Sequence, residues 1–198
     1  MAVDMNFSLT NKIALVTGGA SGIGKSICEN FAKKGVTVAV VDMNIAAAQQ
    51  LSADIRNGST AHVCDVTDIA SIDKAVQEVI SAHGRIDILV NSAGMAVLDP
   101  AEAVKASDWD STIAVNLSGT FFVSQSVGRE MLKVGKGKII NLASQAASVA
   151  LTDHVAYCAS KFGVLGVTKV LASEWGGRGI NVNSVSPTVV LTELGKKA

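Results

Sequence analysis

Short apolar runs alternate with amphipathic segments of helical length along the chain, and this alternation restricts the fold more than any other feature. Six runs are predicted as strands: 13–17, 36–41, 60–63, 86–90, 138–142 and 180–185. Five segments are predicted as helices: 23–34, 45–56, 69–83, 109–132 and 157–175. Such alternation is typical of an α/β fold, a doubly wound parallel sheet in three layers, α/β/α. No linker or repeat divides the elements, so we predict a single domain over residues 1–198.

The composition excludes several classes of function. The formal net charge is zero and 17% of the 198 residues are charged, without a cluster of Lys and Arg. We therefore expect neither nucleic acid nor a membrane surface as partner. The first twelve residues lack the pattern of a secretory signal. The three cysteines, Cys28, Cys64 and Cys158, lack metal-ligand spacing, and this odd count favours a cytoplasmic protein.

A glycine-rich turn between the first predicted strand and the first predicted helix suggests a phosphate site. Its sequence is Thr17-Gly18-Gly19-Ala20-Ser21-Gly22-Ile23-Gly24. Glycines let the backbone approach a pyrophosphate, and the positive end of the helix attracts its charge. Asp42 closes the second strand, where a carboxylate can bind a ribose and repel a 2′-phosphate. With Ser21 in the turn and no basic residue flanking Asp42, the sequence favours NAD over NADP.

The only tyrosine of the chain, Tyr157, precedes Lys161 by four residues and follows Ser144. A phenol with an ordinary pKa of about 10 is a poor acid or base at neutral pH. On a helix, residues four apart share a face, so the Lys161 ammonium would favour the ionised phenol. Ser144 could supply a hydroxyl from the facing loop. Taken alone, the Tyr157 and Lys161 pair is also compatible with two surface residues at helical spacing.

Five motifs in this order and spacing resemble the short-chain dehydrogenase/reductase family. They are Thr17-Gly18-x-x-x-Gly22-x-Gly24, Asn91-Ser92-Ala93-Gly94, Asn116, Ser144 and Tyr157-x-x-x-Lys161. The resemblance implies a Rossmann-like sheet, a nicotinamide cofactor, and hydride transfer between a secondary alcohol and a ketone. We therefore expect a small-molecule alcohol or ketone as the partner of the protein, and no metal.

The resemblance also implies roles for individual residues. The catalytic set is Tyr157 as acid/base, Lys161 as its activator, Ser144 on the substrate oxygen, and Asn116, which holds a water in a proton relay. The cofactor-binding set comprises Gly18, Ser21, Gly22, Ile23, Gly24, Asp42, Asp65, Val66, Asn91, Ala93, Gly94, Tyr157, Lys161, Pro187, Val190 and Thr192. Ser92 stands where the family more often has Asn, and we expect little effect from it.

The segment from Pro187 to Thr192, with Glu193-Leu194-Gly195 after it, looks like sugar-alcohol dehydrogenases and xylulose reductases of the family. Gln145 and His154 could bind a polyhydroxylated substrate beside Ser144 and Tyr157. The apolar residues Met95, Val97 and Val149 equally suit a 3-oxoacyl or steroid-like ketone.

Family members run to about 250 residues, so the resemblance implies that a C-terminal lid and a last strand are missing from this chain. The sixth strand would then be an exposed edge. We expect a homo-oligomer, dimer or tetramer, when the full-length chain is present. Two alternatives stay open: a non-catalytic dinucleotide-binding module, which has little need of Ser144, Tyr157 and Lys161, and an epimerase or dehydratase of the extended branch.

Overall fold

Six strands form one parallel sheet in the structure, which is a computed structural model describing residues 8–192. The strands are β1 (Ile13–Thr17), β2 (Thr37–Asp42), β3 (Thr60–Val63), β4 (Ile88–Asn91), β5 (Gly137–Leu142) and β6 (Ile180–Val185). Their order across the sheet is β3-β2-β1-β4-β5-β6, so the chain order reverses between β1 and β4. A doubly wound sheet binds its ligands at such a reversal, beyond the carboxyl ends of the strands.

Six α-helices connect and cover the strands. They are α1 (Gly22–Lys33), α2 (Ile45–Ile55), α3 (Ile69–His83), α4 (Ala106–Ile113), α5 (Thr120–Val134) and α6 (Val155–Gly176). The predicted α/β fold is confirmed. Residues 1–7 and 193–198, which include Glu193, Leu194 and Gly195 of the sequence argument, lie outside the described residues.

Two hydrophobic cores lie on opposite faces of the sheet. Successive strand residues point to opposite faces, and along β1 the side chain of Leu15 joins one core while Ala14 and Val16 join the other. The first core is covered by apolar residues of α3, α5 and α6, and the second by those of α1 and α2. Burial on both faces explains why the central strands β1, β2 and β4 read as nearly continuous apolar runs.

The predicted helix 109–132 is interrupted in the structure. It consists of α4, a π-helical turn (Ala114–Gly119) and α5. Asn116 lies inside the π-helical turn and is fully buried. A Cβ atom on Gly119 would lie 2.9 Å from a side-chain carbon of Val66, so this turn passes close to the loop after β3. Periodicity alone gives no sign of one wider turn in an apolar segment.

A pair of amides lies buried in the centre of the sheet. Asn91 and Asn141 are paired residues at the carboxyl ends of β4 and β5, and Asn91 Nδ2 donates to Asn141 Oδ1 at 2.8 Å. Asn91 also bonds Ser124 on α5, and Asn141 bonds Thr168 on α6. The pair therefore ties two strands to the helices that cover them.

Helix α6 alone among the described helices has the length and hydropathy of a membrane span. It packs against β6 in the structure, and the polar side chains of Ser160, Lys161 and Thr168 are buried along it. These properties are those of a helix in a protein core.

Candidate active site

A cavity of about 620 Å³ opens beyond the carboxyl ends of the strands. Most of the predicted site residues line it: Gly18, Ser21, Gly22, Ile23, Ala93, Gly94, Ser144, Gln145, His154, Tyr157, Lys161, Pro187, Val190 and Thr192. The cavity wall does not include the other predicted residues: Gly24, Asp42, Asp65, Val66, Asn91 and Asn116. The structure thus gathers residues from distant parts of the chain around one space.

The glycine-rich turn is held by both neighbouring strands. Thr17 Oγ1 at the end of β1 accepts hydrogen bonds from the backbone N–H groups of Ser92 and Ala93 after β4, at 3.2 and 3.3 Å. On the other side, Gly19 N donates to Val41 O of β2 at 3.2 Å. The turn is therefore fixed before any ligand binds.

Glycine is required at two positions of this turn. Gly18 has φ +61°, and a Cβ atom there would lie 2.8 Å from Ala93 Cα. A Cβ on Gly24 would collide with the carbonyl oxygen of Gly18. The side chain of Ser21, the N-cap of α1, makes no capping hydrogen bond within the described residues. The backbone N–H groups at the start of α1 thus remain for an anion.

Asp42, the last residue of β2, supports the glycine-rich turn. Its Oδ2 accepts a hydrogen bond from Ala20 N at 3.0 Å, and its Oδ1 accepts one from Asn44 N at 2.9 Å. Each carboxylate oxygen can accept a second bond, so the half-buried Asp42 can still bind a hydroxyl group. The amino-acid sequence gives no sign of the supporting bond to Ala20, because its donor is a backbone N–H group.

Asp65 follows β3 and accepts two hydrogen bonds from one residue. Thr67 donates to Asp65 Oδ1 from its hydroxyl at 2.7 Å and from its backbone N–H at 2.8 Å. The hydroxyl bond first, and then the backbone bond, lower the pKa of this carboxyl group. The next residue, Val66, is buried and packs against the π-helical turn.

Tyr157 and Lys161 lie on the same face of α6, as their spacing predicts. The Lys161 Nζ atom is 5.7 Å from the centroid of the Tyr157 ring. Burial lowers the pKa of Lys161 to about 8, because desolvation disfavours the ammonium. Nζ donates to the carbonyl oxygen of Leu142 at the end of β5, at 2.7 Å. Because that partner is a backbone atom, the sequence carried no signal for it.

Ser144 stands in the loop after β5, directly before the 3₁₀ turn Gln145–Ala147. Its Oγ accepts a hydrogen bond from Ala146 N at 3.1 Å. The hydroxyl hydrogen of Ser144 therefore remains available to an acceptor in the cavity. The backbone N–H of Gln145 donates to Pro187 O at 2.9 Å, which joins this loop to the segment after β6.

The Asn116 amide binds protein groups at both ends. Its Oδ1 accepts from Met95 N, and its Nδ2 donates to Met95 O, each at 2.9 Å. Nδ2 also donates to Ser160 Oγ at 3.1 Å. A Cβ atom on Gly94 would lie 3.4 Å from Asn116 Oδ1 and 3.8 Å from Lys161 Nζ, so both groups converge on Gly94. The predicted water relay through Asn116 stays a prediction.

Of the remaining candidate residues, polar and apolar, only some line the cavity. The ring of His154 lies 6.1 Å from that of Tyr157 in an edge-on arrangement, and its Nδ1 bonds Thr152 O at 2.5 Å. Of the apolar candidates, Met95 lines the cavity, whereas Val97 and Val149 are not part of its wall. Among residues 8–192, no group of three or more His, Cys, Asp or Glu side chains is arranged to hold a metal ion.

Comparisons with known proteins agree with this architecture. The family model for short chain dehydrogenase matches residues 12–198. The chain is 59% identical to D-threitol dehydrogenase of Mycolicibacterium smegmatis, over 100% of this chain and 77% of that protein. It is 48% identical to NAD-dependent glycerol dehydrogenase of Listeria innocua, over 98% of this chain and 77% of that protein.

A solved structure is similar in fold. The 3-ketoacyl-(acyl-carrier-protein) reductase from Brucella melitensis, complexed with NADH, superposes with a TM-score of 0.92 at 31% identity. The match covers 96% of this chain and 80% of that one. With this fold, this cavity and these relatives, the chain belongs to the short-chain dehydrogenase family, and it is an oxidoreductase that acts on CH–OH groups.

Proposed function

We propose that the protein is an NAD-dependent dehydrogenase that interconverts a secondary alcohol of a polyol with the corresponding keto-sugar. The observation that carries the proposal is the convergence of Tyr157, Lys161 and Ser144 with the glycine-rich turn on one cavity. A module that only binds a dinucleotide has no use for all three side chains.

The residues present fit a dinucleotide. A Cβ-free turn at Gly18 and Gly22 and the uncapped start of α1 suit a pyrophosphate, and Asp42 suits the adenosine ribose. Gly94, Lys161 and Thr192 would hold the nicotinamide end, while Asp65 and Val66 would contact the adenine. When bound, the nicotinamide dinucleotide supplies the site that accepts or donates a hydride.

The chain itself moves the proton. In the oxidation direction the ionised Tyr157 accepts the proton of the substrate hydroxyl, and in reduction it returns that proton. The Lys161 ammonium stabilises the ionised phenol, and the Ser144 hydroxyl donates to the substrate oxygen as negative charge develops on it. Tyr157→Phe removes only the phenol oxygen, so turnover should be abolished while NAD binding persists.

The preference for NAD rests on the charge of Asp42. A carboxylate at the end of β2 repels the 2′-phosphate of NADP. The NAD-dependent relative of Listeria innocua and the NADH complex of the Brucella melitensis structure support this choice. Asp42→Asn keeps an oxygen for the Ala20 N–H and removes the charge. The ratio of kcat/KM for NAD to that for NADP should fall at least about tenfold; an unchanged ratio would refute the role of Asp42.

The preference for a polyol rests on His154 and Gln145. A carbonyl oxygen only accepts hydrogen bonds, so the contact with Thr152 O places a hydrogen on His154 Nδ1. In the tautomer with that hydrogen, Nε2 is an acceptor, which suits the hydroxyl group next to the reacting carbon. The names of the two polyol-oxidising relatives support this choice.

The first experiment follows the absorbance of reduced nicotinamide with threitol, glycerol, butan-2-ol, a hydroxyacyl thioester and a hydroxysteroid. Polyols should react with NAD, and the Tyr157→Phe variant should show no activity. Turnover of only the thioester or steroid would contradict the polyol assignment and favour the 3-oxoacyl or hydroxysteroid alternative. Full activity of Tyr157→Phe would contradict the acid/base assignment. Tight NAD binding without any turnover would favour a binding module.

A second comparison tests the role of His154. Propane-1,2-diol and 1-methoxypropan-2-ol share the reacting carbon, but only the diol offers a neighbouring O–H donor. The protein should prefer the diol, and His154→Phe should remove most of the preference. Equal discrimination in the variant would show that another group recognises the second hydroxyl.

A further inference from the structure

Ser160 is a fully buried residue of α6 that lies one helical turn after Tyr157. Its hydroxyl donates to the main-chain carbonyl oxygen of Tyr157 at 2.7 Å. It also accepts a hydrogen bond from Asn116 Nδ2 at 3.1 Å. One side chain therefore joins the backbone of the catalytic tyrosine to the π-helical turn.

The connection continues from Asn116 to the loop after β4. The Asn116 amide binds both the N–H and the carbonyl of Met95, at 2.9 Å each. Met95 lines the cavity directly after Gly94. We refer to the hydrogen bonds that join Met95, Asn116, Ser160 and the Tyr157 carbonyl as the Asn116–Ser160 network. It ties the first turn of α6 to the loop that borders the nicotinamide end.

The first turn of α6 needs such a tie. The N-cap residue of α6 is His154, whose side chain makes no capping hydrogen bond in the described structure. Residues preceding α6 form a loop in which Asp153 has φ +62°. The Tyr157 backbone is therefore not held by a side-chain cap. The hydrogen bonds of the Ser160 and Lys161 side chains fix its position instead.

We propose that Ser160 is a positioning residue for the reaction. It holds Tyr157 at the cavity through the Asn116–Ser160 network. Ser160 is not part of the cavity wall, so it acts through Tyr157 and Asn116. The proposal rests on the proposed function, because it requires Tyr157 as the acid/base. Loss of the Ser160 hydroxyl removes the bond to the Tyr157 carbonyl and leaves a buried Asn116 N–H without its partner. Both changes loosen the phenol relative to Ser144 and Lys161.

The chain offers a matched control on the same helix. Thr168 is also buried in α6, and its hydroxyl donates to Val164 O at 2.7 Å and accepts from Asn141 Nδ2 at 2.9 Å. Ser160 has the same two kinds of hydrogen-bond partner: a carbonyl oxygen of the preceding helical turn and a buried asparagine amide. However, Asn141 leads to the centre of the sheet and not to the cavity. Thr168→Val therefore reports the structural cost of deleting such a hydroxyl.

The experiment compares Ser160→Ala and Thr168→Val with the unmodified protein in kcat, in KM for the polyol, in Kd for NAD and in Tm. We expect both variants to lose Tm. Only Ser160→Ala should lose kcat, by roughly 10- to 100-fold, with the Kd for NAD within about threefold of its original value. Ser160→Thr, which keeps the hydroxyl, should recover most of the kcat.

Two outcomes would overturn the proposal. One is a Ser160→Ala variant that is folded and retains its kcat. The other is an equal loss of kcat in Thr168→Val and Ser160→Ala at equal loss of Tm. If Ser160→Ala does not fold, Ser160→Cys fills the same space with a weak hydrogen-bonding group and answers the same question. Tyr157→Phe, measured in parallel, separates the proposals: its inactivity together with an active Ser160→Ala refutes the positioning role alone.

Discussion

At the scale of single residues, burial of the Lys161 ammonium costs stability at neutral pH. The pKa of Lys161 is lowered to about 8 in the folded protein, from an ordinary value of about 10.4. Between these pH values the unfolded chain binds more protons than the folded one, so the stability contributed by this group rises with pH across that window. Below pH 8 the full cost of burying the charge is present.

Lys161→Met should therefore stabilise the protein while it abolishes turnover. At pH 7 the free energy of unfolding should increase by about 1–3 kcal/mol, because a buried charge is replaced by an apolar chain of similar length. The gain should shrink as the pH rises from 8 to 10. Urea unfolding of both proteins at several pH values checks this. A variant less stable than the original at pH 7 would show that the bond to Leu142 O outweighs desolvation.

The three thiols should differ in reactivity. Burial raises the pKa of Cys28 to about 12 and that of Cys64 to about 11, so neither forms the reactive thiolate near pH 8. Cys158 is half-buried at the start of α6. N-ethylmaleimide should label Cys158 in the native protein and all three cysteines after denaturation, as followed by peptide mass spectrometry. Native labelling at Cys28 would indicate local opening of α1.

The sequence motifs predicted three side chains that the structure brings to one cavity, Tyr157, Lys161 and Ser144. Their catalytic roles stay predictions. The partners that fix them, Leu142 O and the Ser160 hydroxyl, gave no signal. A carbonyl oxygen belongs to every residue, and a serine in a helix is ordinary in any sequence.

At the scale of elements, two glycines should respond to alanine in opposite directions. In the glycine-rich turn, a Cβ on Gly24 collides with Gly18 O, whereas nothing lies within 4 Å of a Cβ on Gly166 in α6. Gly166→Ala should stabilise the protein by roughly 0.5–1 kcal/mol through helix propensity. Gly24→Ala should weaken NAD binding and lower Tm. Calorimetry of unfolding and of NAD binding tests both, and a neutral Gly24→Ala would contradict the close packing of the turn.

The strands were predicted within two residues at each end, and the buried central strands β1, β2 and β4 leave the clearest apolar signal. Three of them, β1, β3 and β6, have the predicted boundaries. The segment 109–132 was predicted as one helix and contains a π-helical turn. Inside that turn Asn116 bonds Met95 and Ser160, and these tertiary contacts are distant in sequence.

At the scale of the whole molecule, the proposed cofactor site is formed before binding, since residues of β1 and β2 and the loop after β4 all bind the glycine-rich turn. Binding should then stabilise the native fold directly. At an NAD concentration of 100 times its Kd, the gain is about 2.7 kcal/mol. A thermal-shift titration should show a larger rise of Tm with NAD than with the same concentration of NADP. An equal rise with both would contradict discrimination by Asp42.

The buried pair Asn91 and Asn141 has a consequence for how the sheet assembles. Neighbouring strands of a parallel sheet rich in Val and Ile can slide past one another, because one apolar side chain replaces another at little cost. If β5 shifted by one residue, an apolar side chain would lie opposite the Asn91 amide. Both amides would then be buried away from water and without their bond to each other. The pair thus favours the native register of β4 and β5 over shifted registers while the chain folds. The same pair fixes the position of β5, whose last residue, Leu142, accepts the hydrogen bond from Lys161 Nζ.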